Sequence, residues 1–116
     1  MIGPERTIAA QATAAGQGAI AIIRMSGGRC MEILAKCTRP SLAERLHPRR
    51  AVLTHLLDAE GTPIDQVLLT YFPAPASYTG EDTVEISCHG GMLVTERLLK
   101  RLYPVSYTHL TLPTNS

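Results

Sequence analysis

From Ser77 to Gly91 the chain reads SYTGEDTVEISCHGG, gathering three carboxylates, one thiol, one imidazole and three glycines into fifteen positions. Carboxylate, thiolate and imidazole are the groups that ligate metals and build nucleophilic sites, so the first question is whether Glu85, Cys88 and His89 converge. Thr83 to His89 alternates in strand fashion, and successive strand side chains point to opposite faces. Val84, Ile86 and Cys88 therefore share one face, while Glu85, Ser87 and His89 share the other. Cys88 and His89 cannot meet one ion or form a nucleophile–base pair. No CxxC or HxxxH spacing helps elsewhere, and His47 or His55 would have to come from afar. We expect no metal site and no catalytic residue here, with Cys88 serving as a small core hydrophobe.

Two charged residues remain open. A mid-strand carboxylate is unfavourable unless its face is wet or partnered. Glu85 either lies on a solvated sheet face or accepts paired hydrogen bonds from a ligand with an amidine-like edge, such as a pterin or guanine ring. Arg24 ends the apolar run AIAIIRM (Ala19–Met25). It either reaches solvent along its stem or is a fixed cation for a ligand carboxylate or for Glu85. Glu81 and Asp82, after Gly80, are expected to cap turns or face solvent. Gly90-Gly91 is expected to start a helix with a close backbone approach; a role as anion donor rests on weak evidence.

These residues must be positioned by a modest set of elements. Thr7–Thr13 is short and mildly apolar, and a Gly-containing loop (Ala14–Gly18) follows it. Ala19–Met25 reads as a strand buried on both faces, and Ser26 offers a helix N-cap. Cys30, Ile33, Leu34 and Cys37 have helical spacing, giving a short helix to about Lys36. The segment TRPSLAERLHPRR is a polar connection punctuated by Pro40 and Pro48. Ala51–Leu57 and Ile64–Phe72 are strands whose DAEGTP link suits a hairpin. Pro73–Asp82 is a loop by its prolines and Gly80. Met92, Val94, Leu98, Leu99 and Leu102 form a helical stripe opposite Glu96, Arg97, Lys100 and Arg101. The expected fold is α+β, a mixed β-sheet with two helices on one face.

Composition bounds the function. With 116 residues, 45% of them hydrophobic, the chain is one small domain at most. A net charge of +1 gives no electrostatic case for nucleic-acid or membrane affinity. Cys30, Cys37 and Cys88 are an odd set without framework spacing, as suits reduced thiols in a cytoplasmic protein. Neither a signal pattern nor a membrane-length apolar run is present. The end of the chain, Val105–Ser116 (VSYTHLTLPTNS), shifts abruptly to Ser, Thr and Pro and resembles a translated sequencing adapter. Residues 1–104 are thus expected to be the domain and 105–116 an artefactual tail, in which Tyr107 and His109 carry no meaning.

TIAAQATAAGQGAIAIIRMSG (Thr7–Gly27), DQVLLTYFPAPASYTGEDTVEISCHGG (Asp65–Gly91) and the helix after them resemble the N-terminal domain of the MnmE (TrmE) family of tRNA-modifying GTPases. The likeness covers Thr7 to Tyr103, and FPxPxSYTGEDxxExxxHGG is its most specific part. The chain departs from the family where TAAGQG replaces the usual TPPGRG, a change of loop stiffness and one charge. The resemblance implies a folate-binding, homodimerising α+β domain similar to those of folate-dependent aminomethyltransferases. Its one-carbon donor would be 5-formyl- or 5,10-methylene-tetrahydrofolate, with Arg24 in IIRxSG and Glu85 in GEDxxE as folate contacts. It further implies a full-length enzyme that uses GTP, Mg²⁺ and K⁺. That enzyme acts with the FAD-dependent partner MnmG (GidA) to place an aminomethyl-type group on tRNA wobble uridine. No GxxxxGK[ST] occurs in these 116 residues. GTP hydrolysis and a further folate-contacting lysine are thus expected from segments beyond them. The alternative is a stand-alone folate-dependent aminomethyltransferase-like protein.

Overall fold

A computed structural model describes residues 7–12, 20–77 and 79–102. The Ala14–Gly18 loop, Tyr78 and the adapter-like tail fall outside them. In chain order the elements are β1 (Thr7–Gln11), β2 (Ile20–Gly27), α1 (Cys30–Lys36), α2 (Leu42–Arg45), β3 (Val52–Leu57), β4 (Pro63–Phe72), β5 (Thr83–His89) and α3 (Met92–Leu102). The strands form one sheet in the order β1-β2-β5-β4-β3.

The α+β class is as expected, with two differences in detail. Every described strand pairing is antiparallel, so the sheet is not mixed. β5 inserts between β2 and β4 and runs opposite to both, a non-local pairing that leaves no local sequence signature. A third helix, α2, occupies the polar connection. Its amides bond three residues back (Leu42 to Arg39, Ala43 to Pro40, Glu44 to Ser41), and Leu42 docks into the core at 4% exposure.

Strand alternation and two amphipathic helices build the core. Ala21, Ile23 and Met25 of β2, Val67 and Leu69 of β4, and Val84, Ile86 and Cys88 of β5 are buried on one sheet face. Cys30, Ile33 and Leu34 of α1 and Leu98 and Leu102 of α3 complete the cluster. Because the described helices cover only this face, β2 is not buried on both sides: Ile20 is 64% exposed and Arg24 half-buried. Arg101 ties the layers together, its Nε donating to the Leu57 carbonyl (2.9 Å) and its Nη2 to that of Lys36 (2.7 Å). The second bond serves a carbonyl at the C-terminus of α1, where orphan acceptors need partners.

Ser26 is not the N-cap of α1. It lies within β2 opposite Thr83, and Arg29 precedes the helix without a side-chain cap bond. The Arg29 guanidinium instead bonds Glu32. The β3–β4 hairpin forms as its link suggests. Asp58 Oδ1 accepts the amides of Glu60 and Thr62 (2.9 Å each), and Gly61 takes φ +86°, where a side chain would be strained.

The three cysteines are free and buried. Burial, then the charges of Asp82 and Glu81, pushes the Cys30 thiol up from 9.0 to about 12; burial also raises Cys37 and Cys88. Native protein at pH 8 should therefore react with a thiol reagent at least about tenfold more slowly than unfolded chain; rapid native labelling would contradict this packing. These raised values add stability that is complete below about pH 9. It is lost as pH rises toward 12, because thiolate forms first in the unfolded chain. Leu98→Ala should cost about 2–5 kcal/mol in a denaturant titration, and a loss under 1 kcal/mol would argue against α3 as a core element.

Candidate ligand-binding site

The face opposite the helices carries the polar chemistry. Antiparallel pairing sets Ala10, Arg24, Glu85 and Thr70 in one row across β1, β2, β5 and β4. Within it Arg24 Nη2 donates to Glu85 Oε2 at 2.7 Å, the side chains being 35% and 20% exposed. Of the partners open to Arg24, the structure supplies Glu85. Parity holds as the sequence pattern required, with Cys88 on the helix-covered face and Glu85 and His89 on the open one.

Beside this pair lies a cavity of about 460 Å³, within the range of small-molecule sites. Ile8 and Ala10 of β1, Arg24 and Ser26 of β2, and Thr79 and Glu81 of the 73–82 loop line it. Glu85 adjoins it through Arg24. Apolar walls with one guanidinium, two hydroxyls, the Gln11 amide and the Glu81 carboxylate suit a largely flat ligand held by a few directed polar contacts.

The loop is fixed to the sheet by its own side chains. The hydroxyls of Ser26 and Thr79 bond at 2.6 Å, and Thr83 lies 3.4 Å from each. Asp82 caps the loop as expected, Oδ1 accepting the Ala74 amide (2.9 Å) while its carbonyl accepts that of Gly27 (2.9 Å). Ser77 donates to the Glu81 carbonyl. Glu81 is half-buried at the cavity wall instead of facing bulk solvent. Gly91 meets no close neighbour where a Cβ would stand. It is needed for its φ of +112°, not for close packing, and its carbonyl accepts the Thr95 amide in the first turn of α3.

Two features escaped the sequence pattern. Ser26 and Thr79 reach the cavity wall only because residues 53 apart are brought together. Asp65 binds His89 twice, Oδ2 accepting its backbone amide (2.9 Å) and Oδ1 meeting ring Nδ1 (2.7 Å). An acidic residue at a strand start gave no hint of a partner 24 residues on.

Residues 7–110 match the family model described as GTP-binding protein TrmE N-terminus, a match that runs into the adapter-like segment. The chain is 75% identical over 103 residues to a tRNA modification GTPase MnmE of Akkermansia muciniphila, covering 89% of this chain and 23% of that protein. It is 49% identical over 96 residues to the protein of the same description from Sulfurimonas denitrificans, covering 83% and 21%. The chain thus spans less than a quarter of the length of these relatives. With the family match running through every described element, the chain belongs to the family of the GTP-binding protein TrmE N-terminus.

Proposed function

We propose that this domain binds 5-formyl- or 5,10-methylene-tetrahydrofolate on the open sheet face. The observation that carries the reading is the Arg24–Glu85 pair beside the 460 Å³ cavity. Glu85 accepts the paired N–H donors of the pterin edge. Arg24 orients Glu85 and, with five N–H donors, also serves the ligand. A part-exposed ion pair contributes little stability of its own, about 0–1 kcal/mol. Rearranging it around a ligand therefore costs little.

The longer protein in this reading is a tRNA uridine-5-carboxymethylaminomethyl modification GTPase, using GTP, Mg²⁺ and K⁺ in segments outside this chain. It works with the FAD-dependent MnmG and tRNA in the cytoplasm, and the folate supplies the one-carbon unit. Among the described residues no helix is long and apolar enough to cross a membrane. Homodimerisation through this domain belongs to the same reading. Met92 and Leu93 of α3, 66% and 73% exposed, are apolar surface that a second copy would cover.

Equilibrium binding of 5-formyltetrahydrofolate to the full-length protein tests the folate reading. Arg24→Ala and Glu85→Ala should each weaken binding by about 10–100-fold, the worth of a charge-assisted hydrogen bond. No binding, or binding indifferent to both substitutions, would leave the domain a scaffold. Sedimentation equilibrium should give a dimer that Leu93→Glu weakens; a monomer at micromolar concentration would contradict that part.

A further inference from the structure

Glu85 is bonded by Arg24 at 2.7 Å and only adjoins the cavity beside them. The carboxylate that lines it is that of Glu81. This side chain is half-buried, and its carboxylate has no hydrogen-bond partner among the described residues. Its backbone is nevertheless fixed from three sides. The amide donates to Thr79 Oγ1 at 3.3 Å, while the carbonyl accepts the hydroxyls of Ser77 and of Thr83, the latter at 3.2 Å. Thr79 is held in turn by Ser26 at 2.6 Å. Serine and threonine side chains thus set a carboxylate at the wall and leave its oxygens to the occupant of the cavity.

That carboxylate imposes a condition on the ligand. A bound ring displaces solvent from the Glu81 oxygens, and a carboxylate left without a donor would cancel much of the affinity gained. The occupant must therefore bring an N–H to the loop side, and a ring nitrogen that presents a lone pair there is repelled. The demand of Glu81 is separate from that of Glu85. Thr83, whose hydroxyl holds the Glu81 carbonyl, stands two residues before Glu85 on the same face, about 7 Å along β5. The two carboxylates thus address different edges of one bicyclic ring. With the amidine edge on Glu85 and N5 carrying the one-carbon group, a reduced pteridine has one ring N–H left, at N8. In the fully oxidised ring N8 has no hydrogen and is an acceptor.

We infer that Glu81 is a specificity-determining ligand contact, which accepts the N8–H of a reduced pteridine and so selects reduced over oxidised folates. The inference rests on the folate reading above and adds to it a residue and a rule of selection. Thr79 acts through Glu81 and is a positioning residue, since its hydroxyl joins the Glu81 amide to Ser26 of β2. A 7,8-dihydro ring keeps the N8–H but lacks the saturated C6 of the tetrahydro ring. It therefore separates selection by the N8 hydrogen from selection by ring shape.

Equilibrium binding of 5-formyltetrahydrofolate, 7,8-dihydrofolate and folic acid to the full-length protein tests it. The wild type should bind both reduced forms at least about tenfold more tightly than folic acid, the worth of a charge-assisted hydrogen bond. Glu81→Gln should weaken both reduced forms about tenfold and leave folic acid unchanged or tighter, because the amide can turn an N–H toward the N8 lone pair. Thr79→Val should lower the same selectivity ratio, and Thr79→Ser should keep it. Three results would overturn the inference alone, with the dependence on Arg24 and Glu85 still supporting the folate reading. They are an equal loss for all three ligands in Glu81→Gln, no loss for any, and dihydrofolate grouping with folic acid. Failure of the wild type to bind any of the three would overturn both.

Discussion

The antiparallel register between β2 and β5 places Arg24 directly opposite Glu85 and closes an ion pair at 2.7 Å, and the rest of the molecule depends on that register. A slip of β5 by one residue would send Ile86, fully buried, to the open face and bring Glu85 into the core, away from Arg24. An unpaired charge there would cost several kcal/mol. Packing and charge therefore select the same alignment, and the site is a consequence of how the core is built.

The described helices lie on one side only, which makes the sheet a two-sided object. The covered face uses Ile, Val, Leu, Ala and Cys, and its thiols are held inert by burial. The open face carries the Arg24–Glu85 row, the hydroxyls of Ser26, Thr79 and Thr83, and the Asp65–His89 pair. Two cavities lie on it for different reasons. One is walled by a loop whose side chains bond it to β2; the other opens where the β4–β5 ladder ends.

Local periodicity made much of this legible. Thr83–His89 and the stripe from Met92 to Leu102 announced a strand and a helix, although Met92 itself is 66% exposed at the start of α3, and the alternation alone separated Cys88 from Glu85 and His89. Non-local facts were hidden. Ile20 and Ile22 look like residues of a doubly buried strand, yet which faces are covered depends on where α1 and α3 land. Ser26 resembles a cap residue but is held in the sheet by its pairing with Thr83. Asp65 and His89 meet only because β4 lies beside β5. Arg24 and Glu85 stood out as charges in apolar surroundings, while their mutual contact across 61 residues was one of several open partners.

A crystal structure of the protein with bound 5-formyltetrahydrofolate tests the central claim most directly. The account predicts the pterin ring on the open sheet face, its amidine edge on Glu85 and Arg24 in contact with the ligand. A ligand seated on the helix-covered side, or one that touches neither Arg24 nor Glu85, would contradict it.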